Sequence, residues 1–460
     1  MRIAVIGGGI AGLSAAYELA RSGTDFVLFE ASGRLGGIVE TVRRDGFVVE
    51  CGPDSWVTEK PWARELAIEL GLKDEIIFSN DKQRRTYIAR GRELVAMPDG
   101  MRMMVPTKWE PLLNSSLFSW QARLAYLREP KRAEELKATV PGSDESVASF
   151  VRRHFGNEAT DTIAAPLLSG VFGGSIDRLS VRAVMPAFVK MEREHGSLIS
   201  ALQKSLRSGE STSVFTTLKS GLQTLIDHMA VVLPVSSVRL RDAATKVERS
   251  GEKWRVIASS GSEEFDAVVV ATPADVTRKL LGPIDAMFDE LLAMDASSAI
   301  VVALAFAPEI AKRLRVPRGF GFLVPQKGAH SQEPPLLACT FVDQKFSHRA
   351  PEGAVLLRAF FGGESAPLLL DSSDDEIVTL ARKQLSAFLG PLPEPSFAVV
   401  RWWPRSLPQY AVGHLDRMER LGERVRDLPG LQLIGNTYYG VGLPDLVKQG
   451  REAARRVVSR

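Results

Sequence analysis

The sequence predicts an α/β fold in more than one domain, and three observations carry that reading. The first is an apolar run, Ile3-Ala4-Val5-Ile6, short enough for a buried parallel strand. The second is the stretch directly after that run. Gly7, Gly9 and Gly12 stand in G-x-G-x-x-G order, Leu13, Ala16, Tyr17 and Ala20 recur at helical spacing, and a second apolar run, Phe26-Val27-Leu28-Phe29, ends in Glu30. The third is a length of 460 residues, which suggests two or three domains. Strand, glycine turn, helix, strand and acid in that order define a Rossmann-like dinucleotide-binding unit.

Each part of that unit has a physical task. Gly7 permits the tight turn out of the strand. Gly9 has no Cβ, so a pyrophosphate can approach the backbone there, and Gly12 lets the helix pack close to the strand. Ile10 and Ala11 open the helix, whose free N–H groups and dipole favour phosphate charge. Glu30, followed by Ala31, lies where a carboxylate accepts the ribose hydroxyls.

Composition sets bounds on the rest. Hydrophobic content of 45% and charged content of 25% are ordinary for a globular chain. A formal charge of +3 is too small to argue for nucleic acid. The two cysteines, Cys51 and Cys339, and six scattered histidines have no metal-ligand spacing, so no metal is expected and a reducing cytoplasm suits the chain. The first strand begins at Arg2 or Ile3, so no leader is expected before it. The best apolar run, Ala299 to Ala307, is far short of a bilayer span, and any membrane contact would be peripheral.

Along the chain, Gly46 to Glu50 reads as a hairpin strand, leading to a turn at Gly52-Pro53. A helix is expected from Trp62 to Leu70, stopped by Gly71. Residues 85–89 and 93–96 alternate like paired strands turning at Arg90-Gly91. From Met101 to Gln203 the pattern is helical, with Ser143 to Ser146 as an N-cap and a glycine-rich break at Leu168 to Gly174. Phe118, Trp120, Leu124, Tyr126 and Leu127, near Arg123 and Arg128, suit a helical core better than a membrane-resting surface. Residues 214–233 return to the nucleotide unit, followed by strands at 253–258 and 265–271. Strands at 297–307, 320–325, 336–342 and 354–361 form a second sheet, with a loop from Gln326 to Pro335. A glycine-rich junction, Gly435-Asn436 and then Gly440-Val441-Gly442-Leu443, precedes the final helix, whose N-terminus can face an electron-rich ring edge. The domains interleave: a nucleotide domain of 1–80, 212–285 and 404–460, a mixed-sheet substrate domain of 81–100 and 286–403, and a helical insertion of 101–211.

Two sets of motifs carry a resemblance. Arg34-Leu35-Gly36-Gly37 resembles the R-x-G-G extension of flavoprotein oxidases, which makes the nucleotide FAD. Gly52-Pro53-Asp54-Ser55, Ser169-Gly170-Val171-Phe172-Gly173-Gly174, Gly319-Phe320-Gly321-Phe322-Leu323-Val324-Pro325, Leu407-Pro408-Gln409-Tyr410 and the Gly435 to Gly442 junction resemble the FAD-dependent porphyrinogen oxidases of haem biosynthesis. The resemblance covers nearly the full length. It implies that Gly52 to Ser55 lies beside the flavin ring and Trp403 beside the FAD. It implies that Lys60 meets a substrate propionate, Gly170 and Val171 wall the pocket, and Phe320 and Leu323 sandwich a pyrrole. Gly321 would offer a carbonyl to the macrocycle nitrogens, and Phe360 would stand where relatives carry methionine or tyrosine. Without it, Phe320, Leu323 and Phe360 would read as core and Lys60 as a solvated lysine.

The expected reaction is oxidation of protoporphyrinogen IX to protoporphyrin IX, with coproporphyrinogen III as the alternative substrate. By the same resemblance, six electrons leave in three flavin cycles, with three O2 consumed and three H2O2 released. No side chain is assigned as catalytic, because the flavin N5 takes the hydride. The resemblance leaves a homodimer and peripheral membrane contact open. The competing readings are a flavin amine oxidase, for which Tyr438-Tyr439 could be offered as an aromatic cage, and a non-enzymatic nucleotide-fold binding protein that holds no flavin.

Overall fold

A computed structural model describes residues 1–206, 213–326 and 334–459. Part of the expected 326–335 loop and the 211/212 boundary lie outside the described residues. A five-stranded parallel sheet has the order Val238–Leu240, Asp25–Glu30, Arg2–Ile6, Ala267–Val270, Leu431–Leu433. Its three central strands, Asp25–Glu30, Arg2–Ile6 and Ala267–Val270, are apolar on both faces because both are covered. Ile3, Val5, Phe26, Leu28 and Val269 pack on the helices Ile10–Arg21, Gln223–Val232 and Leu443–Val458. The alternate residues Ala4, Ile6, Val27, Phe29 and Val268 pack on the antiparallel meander 244–265 and the helices Ala274–Leu281 and Ala286–Leu291.

The first and last helices meet at a glycine. A Cβ on Gly450 would lie 2.2 Å from the Ala11 carbonyl oxygen, so only glycine permits this approach. Arg451 reinforces the junction by pairing with Glu18 at 2.8 Å and Glu69 at 2.9 Å.

The second sheet has seven strands, ordered Phe397–Pro408, Ala296–Phe306, Val355–Gly362, Ala338–Phe341, Gly321–Leu323, Thr86–Arg90, Glu93–Ala96. It is mixed: Gly321–Leu323 runs parallel to Thr86–Arg90 and the other pairs are antiparallel. The strand Phe397–Pro408 crosses the expected boundary between 403 and 404, because its pairing with Ala296–Phe306 continues to Pro408. One face, with Ile300, Val302, Phe322, Cys339, Leu357, Ala359 and Phe361, packs on the helix Asp374–Leu389. That helix begins with a capping box between Ser373 and Glu376. Period-two alternation sends the other residues to the opposite face.

The insertion is helical, with short helices from Trp109–Asn114 to Leu198–Leu206. Ser119 and Ser146 accept backbone N–H groups as N-caps. The apolar group near residue 120 divides. Phe118 and Tyr126 are buried, and Tyr126 stacks on Phe155 at 4.8 Å between centroids, whereas Trp120 is 67% exposed. The glycine-rich stretch does not interrupt the helix at Gly170. Ala165–Phe172 is helical, and Gly173 ends it at φ 65°. Burial of Leu168 and Phe172 outweighs the ~1 kcal/mol cost of one helical glycine.

A buried ionic network holds this insertion together. His154 bridges Glu129 at 3.0 Å and Glu192 at 3.1 Å, and Glu129 also accepts from Ser197 Oγ and the Leu198 N–H. Burial alone would push the imidazole down. Hydrogen bonds to the two carboxylates and their charge outweigh it, so His154 lies above the usual histidine range. Glu192 is opposed by burial but held below the usual range by hydrogen bonds and charge from His154 and Arg153. A raised folded value stabilises below the unfolded histidine value and is lost as pH rises through the folded one. A lowered carboxylate value stabilises above the unfolded one and is lost as pH falls. Wild-type stability therefore falls on the alkaline side of His154 titration. A His154→Gln variant, followed by urea unfolding across pH, loses that alkaline slope.

Candidate functional site

The glycine turn forms as its sequence requires. Gly7 has φ 103° and donates to the Phe29 carbonyl at 2.8 Å. A Cβ on Gly12 would stand 1.9 Å from the Gly7 oxygen. Gly9, by contrast, has nothing within 4 Å of its Cβ position. Ile10 and Ala11 are buried in the first helical turn, while Ala31 is exposed. Glu30 accepts from the Gly8 N–H at 2.7 Å through one oxygen and from the Ser32 N–H at 2.7 Å through the other. Its carboxylate is thereby held at the turn.

The Arg34 to Gly37 extension lies against this turn. Gly36 donates to the Gly8 carbonyl at 2.8 Å and forms a bridge with Gly9. Leu35 covers Gly8, and Gly37 is exposed with φ 59°. Arg34 is occupied in bracing the loop: it donates to the Leu35, Val39 and Gly37 carbonyls and pairs with Glu40 at 3.5 Å.

The Gly52 turn abuts the same segment. A Cβ on Gly52 would lie 1.8 Å from the Ile38 oxygen, and Cys51 N–H donates to the Glu40 carbonyl at 2.8 Å. Trp403 donates from Nε1 to the Cys51 carbonyl at 2.7 Å, and the Arg34 guanidinium lies 5.8 Å from its ring. Pro53 is half-buried. The Asp54 carboxylate accepts from Ser55 at 2.7 Å, Lys345 Nζ sits at 2.9 Å, and Arg358 at 3.4 Å. Burial opposes ionisation, but those two cations hold the carboxyl well below the usual range. Asp54 and Ser55 are thus engaged with protein partners.

At the C-terminal junction Gly435 has φ 127° and open space at its Cβ position. Asn436 donates to the Ser406 carbonyl, and its own carbonyl accepts from Tyr410. Val441 is half-buried, Leu443 is buried, and Gly442 precedes the last helix. Asp445 in the first turn binds Lys60 Nζ at 2.6 and 2.7 Å. Lys60 is 44% exposed and keeps a face toward solvent.

Register places three of the expected pocket residues, Gly321, Leu323 and Phe360, on one sheet face. Leu323 is opposite Ala338, which is opposite Phe360, then Val301 and Arg401. The next row on that face joins Gly321, Thr340, Arg358 and Ala303. The Gly170 Cβ position lies 4.0 Å from Leu323, so the Ala165–Phe172 helix stands against this face. Gly170 is exposed there; the Val171 side chain lies outside the described ones. Phe320 is buried at the strand's start and bonds to the Arg85 carbonyl at 2.8 Å. Tyr438 and Tyr439 form no cage: Tyr438 is buried with its hydroxyl toward Thr277, and Tyr439 is 54% exposed.

Sequence reasoning missed the ionic parts. Arg401 chelates Glu40 at 2.7 Å. Buried Arg349 and Glu50 pair at 3.2 Å, and Glu50 also accepts from Thr41 and the Leu222 N–H. Arg358, on the same sheet face as Gly321 and Phe360, donates to the Gly52 carbonyl at 2.5 Å. The available signal was a charge inside an apolar strand, as in VLLRAFFG and FVVE, since such residues stay buried only when paired.

Open space at the Cβ positions of Gly9 and Gly435, a helix start directly after Gly9 and the Glu30 carboxylate held at the same turn together fit a long dinucleotide cofactor. The chain belongs to the flavin-containing amine oxidoreductase family, whose model matches residues 10–458. It is an FAD-dependent oxidoreductase. It is 33% identical to the coproporphyrinogen III oxidase of Bacillus subtilis, over 98% of this chain and 96% of that one. It is 28% identical to the chloroplastic protoporphyrinogen oxidase of Nicotiana tabacum, over 98% and 84%. A crystal structure from Exiguobacterium sp. 255-15, provisionally assigned as a protoporphyrinogen oxidase, superposes with TM-score 0.86 at 30% identity, covering 100% of this chain and 99% of that one. Among the described residues, no helix is long and apolar enough to cross a membrane.

Proposed function

We propose that the chain oxidises a porphyrinogen, with coproporphyrinogen III preferred over protoporphyrinogen IX. The observation that carries the reaction class is the apolar row Leu323, Ala338, Phe360 and Val301 on the sheet face next to the Gly52 turn. A porphyrinogen is a large, puckered, greasy ring with carboxylates at its edge, and it needs an apolar slot flanked by cations. Lys60 at the last helix and the exposed Arg84 and Arg85 beside Phe320 supply candidates for the carboxylates. Coproporphyrinogen III carries four propionates against two. The names of the bacterial relatives at 33% and 31% identity support it, and they move it ahead of the substrate that the sequence alone put first.

In this reading the Gly7 to Gly12 turn and Arg34 to Gly37 hold the pyrophosphate, Glu30 the ribose, and the Gly435 to Leu443 junction the ring end of FAD. Bound FAD supplies the two-electron acceptor. The protein's own part is to orient the macrocycle between Gly170 and the Leu323–Phe360 face and to keep water from it. Trp403 fixes the Cys51 carbonyl and with it the turn beside the ring.

Lys60→Ala is expected to raise the KM for porphyrinogen roughly tenfold, the worth of one charge-assisted hydrogen bond of about 1.5 kcal/mol, with flavin content unchanged. Steady-state kinetics alongside the flavin-to-protein absorbance ratio checks it; an unchanged KM removes Lys60 from the substrate site.

A further inference from the structure

Around the Gly52 turn, Lys345, Arg349 and Arg358 face Glu50 and Asp54, three cations against two carboxylates, leaving one positive charge in excess. The side chains of Arg349, Glu50 and Arg358 are no more than 2% exposed, and those of Lys345 and Asp54 are 11% and 14% exposed. Arg349 Nε and Nη1 and Arg358 Nε have no hydrogen-bond partner among the described residues. An unbalanced buried charge is costly unless an anion shares its surroundings. Arg358 touches both the turn and the sheet. It lies on the same sheet face as Phe360, with its guanidinium 5.1 Å from that ring, and binds the Gly52 carbonyl and the Asp54 carboxylate.

We propose that Arg358 is a positioning residue that fixes the Gly52–Asp54 turn and, with Lys345, holds surplus positive charge there that favours the reduced, more negative form of the bound flavin. The inference rests on the reading that FAD lies in the glycine cradle with its ring at this turn. Backbone hydrogen bonds make the connection: Gly36 to Gly8, and Cys51 to Glu40. Cations close to a flavin tune its electronics, and burial keeps solvent from screening them. Asp54 offsets part of the surplus, so its removal acts in the opposite sense to removal of Arg358.

The test is the flavin midpoint potential of purified holoprotein, by anaerobic dye-coupled titration, for Arg358→Met, Arg358→Lys, Lys345→Met and Asp54→Asn. Arg358→Met and Lys345→Met should lower the potential, each equivalent to about a tenfold loss in preference for the reduced form, about 30 mV for a two-electron couple. Asp54→Asn should raise it, and Arg358→Lys, which keeps the charge, should stay near wild type. A purely structural role would not give opposite signs for the arginine and aspartate variants. Wild-type potentials in Arg358→Met and Asp54→Asn with flavin bound overturn the proposal. Should Arg358→Met not fold, the opposite shifts of Lys345→Met and Asp54→Asn support it, and shifts of one sign or none overturn it. A wild-type protein that purifies without flavin would instead defeat the reading beneath it, and this outcome is visible before any titration begins.

Discussion

A Gly12→Val variant is expected to purify without FAD, whereas Gly9→Ala is expected to fold normally and bind FAD at least roughly tenfold more weakly. The two glycines stand three residues apart and are required for different reasons. At Gly12 a Cβ would lie 1.9 Å from the Gly7 oxygen and 3.0 Å from Ala271, both fixed in the sheet and its turn. The helix has to move off the strand, and overpacking of this kind costs about 1–3 kcal/mol or more. The N–H groups that face the phosphates move with it. At Gly9 no protein atom lies within 4 Å of the Cβ position, and φ −65° with ψ 173° suits alanine. The added methyl can therefore obstruct only a ligand. Flavin absorbance per polypeptide and the unfolding temperature of the apoprotein separate the two cases. Full FAD retention by Gly9→Ala would place the pyrophosphate elsewhere.

Arg349→Met is expected to destabilise the fold by about 3–5 kcal/mol, the usual cost of stranding one partner of a buried ion pair. Glu50 is then left with Thr41 and the Leu222 N–H but without a cation. Burial already pushes the Glu50 carboxyl up, and the Arg349 charge opposes that push. Removing the arginine raises it further. Since the carboxyl then binds its proton more tightly folded than unfolded, the variant is weakest at high pH and recovers as pH falls. The double variant Glu50→Gln, Arg349→Met should regain most of the loss. Urea unfolding of the three variants at two pH values measures both effects; additive losses in the double variant would show that the pair is not coupled.

What could be read from the sequence was local. The strand Arg2–Ile6, its glycine turn and the helix Ile10–Arg21 announce themselves because every residue needed lies within thirty positions. The apolar strand read at 354–361 and the turn at Arg90-Gly91 were equally legible, since strand composition and turn chemistry are short-range. The pairing order of the seven-stranded sheet was not, because a strand carries no label for its neighbour. Gly170 misled for a related reason: its helix persists through tertiary burial of Leu168 and Phe172, which a local pattern does not contain. The ionic site was hidden by distance in sequence. Lys60 meets Asp445, Arg358 meets Gly52, and Arg401 meets Glu40 across some three hundred residues or more. Only the charges interrupting VLLRAFFG and FVVE hinted that partners existed.

The most direct measurement of function is anaerobic reduction of the purified yellow protein by coproporphyrinogen III and protoporphyrinogen IX in turn. Rapid loss of the flavin absorbance with coproporphyrinogen III, and slower loss with protoporphyrinogen IX, is the predicted result. The reverse order would reassign the preferred substrate within the same chemistry. Bleaching by neither porphyrinogen, with bleaching by a simple amine, would contradict porphyrinogen oxidation altogether.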